Sequence, residues 1–390
     1  MPTLSPVESA KIANGVYALR DVSVSQAAAL GFELGCEGMF TVGENARFQG
    51  TSGGLVVWKE VSGFGYIASG TGRYQGEVLI ACRGTDVAAD WCTDANFGVR
   101  GGPTGSSVHA GFMETWSSFS HELDTYLRGR NPSLVHCVGH SLGGALATLT
   151  AAYCRQRGIG QPELYTFGSP RVGLTRFAFD LTDRLGSSHI HRVQHFADPV
   201  PMVPLWPFTH IPYGSSGNVV GGSQNTVISF GAHSMENSYL GAMVGCSWAT
   251  LAAASLDRTA GQRAEAWLKS VANGRESIIP MGAYAFEMIG AALRWLIDAS
   301  TDILSATVGP AALATMTLLD QLAIMLEKAA QLTAKMSMYV TTLVGAILRF
   351  AGRATAKGVE LSRSFIRWAL QLLFTPIRQM ANAATRGFLR

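Results

Sequence analysis

The sequence has 390 residues, of which 47% are hydrophobic and only 15% are charged, so it is not an intrinsically disordered chain and is long enough for two or three folding units. The formal net charge of +3 is too small an imbalance to indicate nucleic-acid binding. Six cysteines lie scattered without a Cys-x-x-Cys pair, so we expect neither a disulfide framework nor a metal site, and we expect no cofactor.

The first 250 residues are predicted to alternate strands with helices. Ser5-Pro6-Val7-Glu8 is typical of a helix start, because serine caps the first turn, proline fits its first position and glutamate completes a capping box. That helix is expected to reach about Leu19. Strands are predicted over residues 55–61, 64–68, 77–82, 134–138, 164–167 and 189–196, and a helix over 142–156. This alternation favours an α/β fold with a mostly parallel sheet.

After about residue 250 the sequence pattern becomes helical, which predicts one domain over 1–250 and an all-helical region over 251–390. Apolar residues at alternating spacings of four and three predict one long helix over about 311–350. A second helix is predicted over about 357–374, ended by Pro376. The longest uncharged run, 303–319, is too short for a convincing membrane span.

The excess of positive charge lies in the C-terminal part of the helical region. From Lys335 onward, nine basic residues face a single acid, Glu360. Such a basic, amphipathic tail is typical of a region that lies on an anionic membrane surface. The heptad spacing equally favours a helical layer that packs on the rest of the chain or on a partner, or that oligomerises, and these alternatives stay open.

Gly139-His140-Ser141-Leu142-Gly143 lies between a predicted strand and a predicted helix. A nucleophilic serine on such a sharp turn needs small residues two before and two after it, because side chains there would collide with neighbouring strands and the helix. The backbone N–H of Leu142, at the helix start, would face a developing oxyanion. Ser141 is therefore the candidate nucleophile, and His140 is expected to be a supporting core residue.

A serine nucleophile in this context needs an acid and then a base later in the chain. Asp198 follows a predicted strand, at the sheet edge where active-site groups collect, although an aspartate before proline can also be a simple turn residue. No histidine follows His233, so His210 and His233 remain as candidate bases. We favour His233, which follows a strand-like segment over 226–230, with His210 as its rival.

The sequence resembles the class 3 lipase family of α/β-hydrolases. The resemblance rests on five ordered segments over about 120 residues: 83–94 with Arg83-Gly84-Thr85 and Asp90-Trp91, 108–112, 139–144, 166–173 and 198–201. It implies an α/β-hydrolase fold and a triad of Ser141, Asp198 and His233. It also implies an oxyanion hole formed by the backbone amides of Thr85 and Leu142, and a lid over about 86–105. Residues 208–210 resemble a loop beside the family's acid, which weakens His210 as the base.

The resemblance implies a serine esterase that hydrolyses acyl esters of lipids through an acyl-enzyme. The extra basic tail makes a phospholipase A-type antibacterial effector our main hypothesis, since the chain looks like bacterial effectors of this family that are exported by type VI secretion. Alternatives are a neutral-lipid (triacylglycerol) lipase and a membrane-disrupting helical toxin with an accessory hydrolase domain.

The expected partners are a lipid ester substrate, a membrane surface and an immunity or chaperone protein. The N-terminus shows no basic region followed by an apolar run, which predicts synthesis in the cytoplasm without a signal peptide. We accordingly expect export by a non-Sec route and association with the membrane of a target cell.

Overall fold

The computed structural model describes residues 3–52, 60–84, 98–223, 225–256, 264–298, 317–354 and 361–386. The chain forms two compact units. The sheet unit comprises Met1–Gly221, Ser229–Asp257 and Met380–Arg390, and the helical unit comprises Gly222–Ile228 and Arg258–Gln379. The predicted domain boundary at residue 250 stays a prediction, and a short segment ahead of Ser229 groups with the helical unit.

The strands within the described residues belong to the sheet unit. They are β1 (Phe40–Ser52), β2 (Glu60–Gly70), β3 (Val78–Cys82), β4 (Val99–Gly101), β5 (Ser107–His109), β6 (Leu134–His140), β7 (Gln161–Phe167), β8 (Gly173–Leu174), β9 (Ile190–His195), β10 (Phe208–Thr209) and β11 (Asn218–Val220).

The helices of the sheet unit are α1 (Pro6–Gly15), α2 (Val24–Ala29), α3 (Ala110–Leu127), α4 (Leu142–Arg157), α5 (Thr175–Leu185), α6 (Gly241–Met243) and α7 (Trp248–Leu256). Those that begin in the helical unit are α8 (Ala264–Ala272), α9 (Ala283–Asp298), α10 (Leu318–Leu332), α11 (Ala334–Phe350) and α12 (Arg363–Arg386).

The main sheet has seven strands in the order β1-β2-β3-β6-β7-β9-β11. The pairs β1/β2 and β2/β3 are antiparallel, and every later neighbour is parallel. A smaller antiparallel sheet joins β10, β8, β5 and β4. The mostly parallel sheet with covering helices is the predicted α/β-hydrolase architecture, and it brings the ends of β6 and β9 to one edge.

Both faces of the main sheet are covered, which explains the continuous apolar runs in its central strands. Ile80 and Cys137 face a core cluster that contains Phe119 of α3 and Leu146 of α4. Leu79 and Val138 face the opposite cluster, which includes Ile12 of α1 together with other buried residues. Successive residues of β3 and β6 therefore anchor two different helical layers.

Several predicted elements differ from the structure. No predicted element covers the strand β1, and residues 55–59 of the first predicted strand lie outside the described residues. The first helix changes to a tighter 3-10 turn at Val16–Leu19. The segment 226–230 is not a strand of the main sheet: Val227 pairs with Gly282, and Phe230–His233 forms a 3-10 turn.

The prediction of a single helix over 311–350 is wrong for the described residues, because they form two helices. Thr333 adopts extended dihedrals of φ −150° and ψ 158°, and its hydroxyl accepts the Met336 N–H at 3.1 Å as the cap of α11. The apolar seam is nevertheless buried at Leu322 and Leu343. It is buried because α10 and α11 pack on each other.

The helix that Pro376 was expected to end continues through that residue to Arg386. Leu373 and Ile377, on either side of the proline, are both buried. Packing of both flanks therefore outweighs the backbone hydrogen bond that proline cannot make.

Basic residues of the helical unit are partly neutralised by acids from earlier in the chain. Arg363 pairs with Glu327 at 3.2 Å and Lys335 pairs with Glu265 at 3.0 Å. Arg367 pairs with Asp320 at 2.5 Å. Within the part of the chain that the structure describes, no helix combines the length and hydropathy needed to cross a membrane.

Candidate active site

Ser141 lies on a strained turn between β6 and α4, with φ 57° and ψ −133°. Only small neighbours allow this turn. A Cβ at Gly139 would lie 2.1 Å from the Gly143 carbonyl oxygen, and a Cβ at Gly143 would lie 2.2 Å from the Cys82 carbonyl oxygen. The pattern that singled out Ser141 in the sequence is therefore a steric requirement of this turn.

The structure brings Ser141, His233 and Asp198 into one hydrogen-bonded row. His233 Nε2 lies 2.8 Å from Ser141 Oγ, and His233 Nδ1 lies 2.8 Å from Asp198 Oδ2. The imidazole and the carboxylate are completely buried, and Ser141 is 4% exposed. With its proton on Nδ1, the imidazole donates to the carboxylate and accepts from the serine hydroxyl, which is the arrangement of a serine nucleophile with its base.

Asp198 is held by two further donors. Its Oδ1 accepts the Val200 N–H at 2.8 Å, and its Oδ2 accepts the Tyr239 hydroxyl at 2.5 Å. Burial raises the pKa of Tyr239 well above its usual value, and the charge of Asp198 raises it further. The phenol therefore keeps its proton and remains a donor. Tyr239 lies in a π-helical turn, Met235–Leu240, a form often found at functional sites.

His140 supports the candidate base through the backbone. Its Nε2 lies 2.9 Å from the His233 carbonyl oxygen, and its Nδ1 lies 2.9 Å from the Tyr17 hydroxyl. Burial, and then the nearby His233, lower the pKa of His140 well below its usual value. The neutral ring thus donates to the carbonyl and accepts from Tyr17. This is the supporting role expected of His140.

His210 lies apart from this row. Its Nε2 donates to the Pro201 carbonyl at 2.8 Å. Burial lowers the pKa of His210 well below its usual value, and the charges of Arg192 and Arg171 lower it further. His210 is therefore a partly buried residue engaged by the Pro201 carbonyl, and among the described residues no hydrogen bond joins it to Ser141 or Asp198.

Only part of the predicted oxyanion hole lies within the described residues. Leu142 is the first residue of α4, directly after Ser141. A Cβ at Gly84 would lie 3.3 Å from Ser141 Cβ, so the chain passes beside the serine just after β3 ends. Thr85 lies outside the described residues, as do residues 86–97 of the predicted lid. The oxyanion roles of Thr85 and Leu142 and the lid stay predictions.

The sequence does not indicate two tyrosines that contribute to this site. Tyr17 and Tyr239 carry no local pattern that distinguishes them from core tyrosines. Tyr239 falls six residues after His233, in the π-helical turn, and its hydroxyl donates to Asp198. Among the described residues, no group of three or more histidine, cysteine, aspartate or glutamate side chains could hold a metal ion.

Comparison with known proteins places these residues in context. Residues 79–208 match the family model Lipase (class 3). A secreted mono- and diacylglycerol lipase 1 of Fusarium solani is 38% identical over 157 residues, covering 39% of this chain and 46% of that protein. A secreted mono- and diacylglycerol lipase A of Penicillium cyclopium is 34% identical over 148 residues, covering 36% of this chain and 47% of that protein.

Solved structures give weaker overlaps. The Lip2 lipase of Yarrowia lipolytica is 21% identical with a TM-score of 0.41, covering 60% of this chain and 81% of that one. The N225Q mutant of MDLA of Penicillium cyclopium is 24% identical with a TM-score of 0.39, covering 64% of this chain and 91% of that one. In sequence, this chain spans less than half the length of the curated relatives named above.

The expected location is wrong. Cytoplasmic synthesis without a signal peptide, followed by non-Sec export, was inferred from the N-terminal residues alone, whereas several curated relatives are secreted lipases. The pattern of the first residues is one local observation, and no export route follows from it.

Proposed function

We propose that this chain, whose residues 79–208 match the Lipase (class 3) family model, is a serine hydrolase that cleaves acyl esters of lipids. The observation that carries the proposal is the row of hydrogen bonds from Ser141 through His233 to Asp198, at 2.8 Å each. Four segments that lie far apart in the sequence meet at this row. They are the ends of the strands β3, β6 and β9 and the segment that starts at Ser229.

In the proposed reaction, Ser141 Oγ attacks the ester carbonyl carbon while His233 Nε2 takes its proton. Asp198 holds the imidazole and stabilises its cationic form. The backbone N–H of Leu142, with that of Thr85, would receive the negative carbonyl oxygen. His233 then protonates the departing alcohol oxygen. A water molecule releases the acyl group from Ser141 by the same route, and the carboxylic acid leaves.

The substrate class that we propose is the acylglycerol ester. Relatives from Fusarium solani and Penicillium cyclopium are named mono- and diacylglycerol lipases. Residues 79–208, which match the Lipase (class 3) model, contain the serine turn and Asp198, and this supports acyl transfer from a glyceride more directly than any feature of the helical unit.

The test compares the parent with Ser141→Ala and Ser120→Ala on diacylglycerol emulsions, with released fatty acid as the readout. Ser120 is half-buried on α3 and donates to the Ser117 carbonyl, so it is a matched control. We expect Ser141→Ala to lose at least roughly 10⁴-fold in rate, while Ser120→Ala retains parental activity. Hydrolysis by Ser141→Ala at the parental rate would refute the proposal.

Phospholipids are a second candidate substrate. The nine basic residues from Lys335 onward favour an anionic surface, but Lys335, Arg363 and Arg367 are engaged in ion pairs. Vesicles of anionic phospholipid, incubated with parent and Ser141→Ala, distinguish the candidates. Serine-dependent release of lysophospholipid supports phospholipase A activity, whereas leakage caused equally by both proteins supports a membrane-disrupting helical region. A membrane surface and an immunity or chaperone partner remain predictions.

A further inference from the structure

The helix α1 is anchored at both ends. At its start, Leu4 is completely buried; its N–H donates to the Tyr165 hydroxyl at 3.1 Å, and the indole N–H of Trp248 donates to its carbonyl at 2.8 Å. At its end, a Cβ at Gly15 would lie 2.3 Å from the carbonyl carbon of Leu34. The helix therefore ends directly against another part of the backbone, and the residues that follow it start from a fixed place. All five residues belong to the sheet unit.

The 3-10 turn Val16–Leu19, which follows α1, brings Tyr17 to the candidate active site. Its hydroxyl lies 2.9 Å from His140 Nδ1. The same hydroxyl lies 2.8 Å from the place that a Cβ of Gly84 would occupy, and that place is 3.3 Å from Ser141 Cβ. The half-buried Tyr17 therefore lies beside the reacting groups, in the same compact unit.

His140 can join Tyr17 to the candidate base in only one neutral form. The His233 carbonyl oxygen can only accept, so His140 Nε2 must carry the proton in the 2.9 Å bond between them. The lone pair of the neutral ring is then on Nδ1, where it accepts the Tyr17 hydroxyl. The opposite tautomer would set the lone pair of Nε2 against that of the carbonyl. Tyr17 therefore stabilises the one form of His140 that holds His233.

The contact between the two histidines extends to their rings, whose centroids lie 4.5 Å apart at an interplanar angle of 32°. A rotation of the His140 ring would therefore change both the bond to the carbonyl and the surface against which the candidate base packs. His233 Nε2 lies 2.8 Å from Ser141 Oγ, and a displacement of about 1 Å can reduce a rate about 10²-fold. The direction of the His140 ring thus affects the reaction.

We propose that Tyr17 is a positioning residue for the proposed hydrolase. By donating to His140 Nδ1, it keeps the His140 ring in the form and direction that fix the backbone and the imidazole of His233. The inference rests on the proposed function, since it concerns the base of that reaction. The helix α1 contributes to the proposed reaction in this way, because it holds Tyr17 in place.

Tyr17→Phe removes the hydroxyl and keeps the ring. Tyr126→Phe is the matched control, because Tyr126, on α3, is likewise half-buried and its hydroxyl lies 3.2 Å from Ser69 Oγ. Full-length proteins are compared with p-nitrophenyl butyrate, and active sites are counted by titration with a fluorophosphonate. We expect Tyr17→Phe to lower kcat per titrated site roughly fivefold with KM unchanged, as for the loss of one neutral hydrogen bond. Tyr126→Phe should keep the parental kcat.

A merely structural tyrosine would give a different result. Its loss would lower Tm or the number of titrated sites but leave kcat per site unchanged. Parental kcat per site in Tyr17→Phe, or an equal loss in Tyr126→Phe, would overturn the inference.

A double-mutant cycle tests whether Tyr17 acts through His140. His140→Leu removes both ring nitrogens, so in its background the Tyr17 hydroxyl has no route to His233 through that side chain. We expect Tyr17→Phe to cause no further loss of kcat per site there. A second fivefold loss in that background would mean that Tyr17 acts by another route, for example on the chain at Gly84, and would overturn the inference.

One further comparison leaves Tyr17 unchanged and so covers a Tyr17→Phe protein that does not fold. His140→Gln can still donate to the His233 carbonyl, whereas His140→Leu cannot. We expect a higher kcat per titrated site in His140→Gln than in His140→Leu, and equal values would overturn the inference. A parent protein without Ser141-dependent hydrolysis would instead overturn the proposed function itself.

Discussion

The candidate triad is surrounded by residues that fix its geometry rather than react. Asp198 receives three donors, from His233, Tyr239 and the Val200 backbone. A buried carboxylate needs such partners, because an unpaired buried charge is strongly unfavourable. The Tyr239 hydroxyl also accepts the His195 N–H at 2.9 Å. It therefore ties the acid to the end of β9.

Tyr239→Phe removes one donor to Asp198 and leaves the ring in place. We expect kcat on a soluble ester to fall about 10- to 150-fold with little change in KM, since a hydrogen bond to a charged group contributes roughly 1.5–3 kcal/mol. Tyr153→Phe is the matched control, because Tyr153 donates to Asp124 at the same 2.5 Å distance on helices α3 and α4. A loss as large in Tyr153→Phe would contradict a specific role for Tyr239.

At the scale of elements, the turn from β6 to α4 is the most constrained feature of the sheet unit. Three backbones meet there. A Cβ at Gly144 would lie 2.6 Å from Ser169 Cβ, and the positions of Gly139 and Gly143 are tighter still. Strain at Ser141 is maintained because β3, β6 and α4 are all buried around it.

Gly143→Ala should destabilise the protein by roughly 3 kcal/mol or more, because its Cβ meets the Cys82 backbone and no side chain can move aside. Gly290→Ala is the opposite case, because Gly290 lies exposed within α9 with open space around it. It should be neutral or stabilise by up to about 1 kcal/mol. Urea unfolding of both variants checks this, and equal effects would show that the turn is not sterically closed.

Across the sheet unit, several histidines are buried in the neutral form. Burial lowers the pKa of His136, His140 and His210 below the usual value, although the Glu77 carboxylate partly opposes this at His136. The unfolded chain then binds more protons than the folded chain below about pH 6.5. Stability is therefore complete above that pH and is lost as the pH falls.

We expect the free energy of unfolding to decrease below pH 6.5 by up to roughly 1.4 kcal/mol per pH unit for each of these histidines. Urea unfolding between pH 5.5 and 7.5 measures the slope. His210→Gln keeps a donor for Pro201 but cannot titrate, so its slope should be shallower than that of the parent. A stability that is independent of pH over this range would contradict the prediction.

The sequence by itself determined the class of fold, the serine turn and the order of the candidate acid and base. These are set by near neighbours: glycines that prevent steric clashes around Ser141, apolar runs in buried strands, and the position of Asp198 just after β9. The absence of histidines after His233 left few candidates for the base.

Only the tertiary structure decided which residues surround the hydrogen-bonded row of Ser141, His233 and Asp198. Tyr239 donates to Asp198 and Tyr17 bonds His140, which in turn supports His233, and the choice between His210 and His233 depends on which of them meets Asp198. The break at Thr333, the helix through Pro376 and the β-bridge at Val227 depend on packing between distant segments. Local propensity contributes only fractions of a kcal/mol per residue, so long-range burial and hydrogen bonding decide such details.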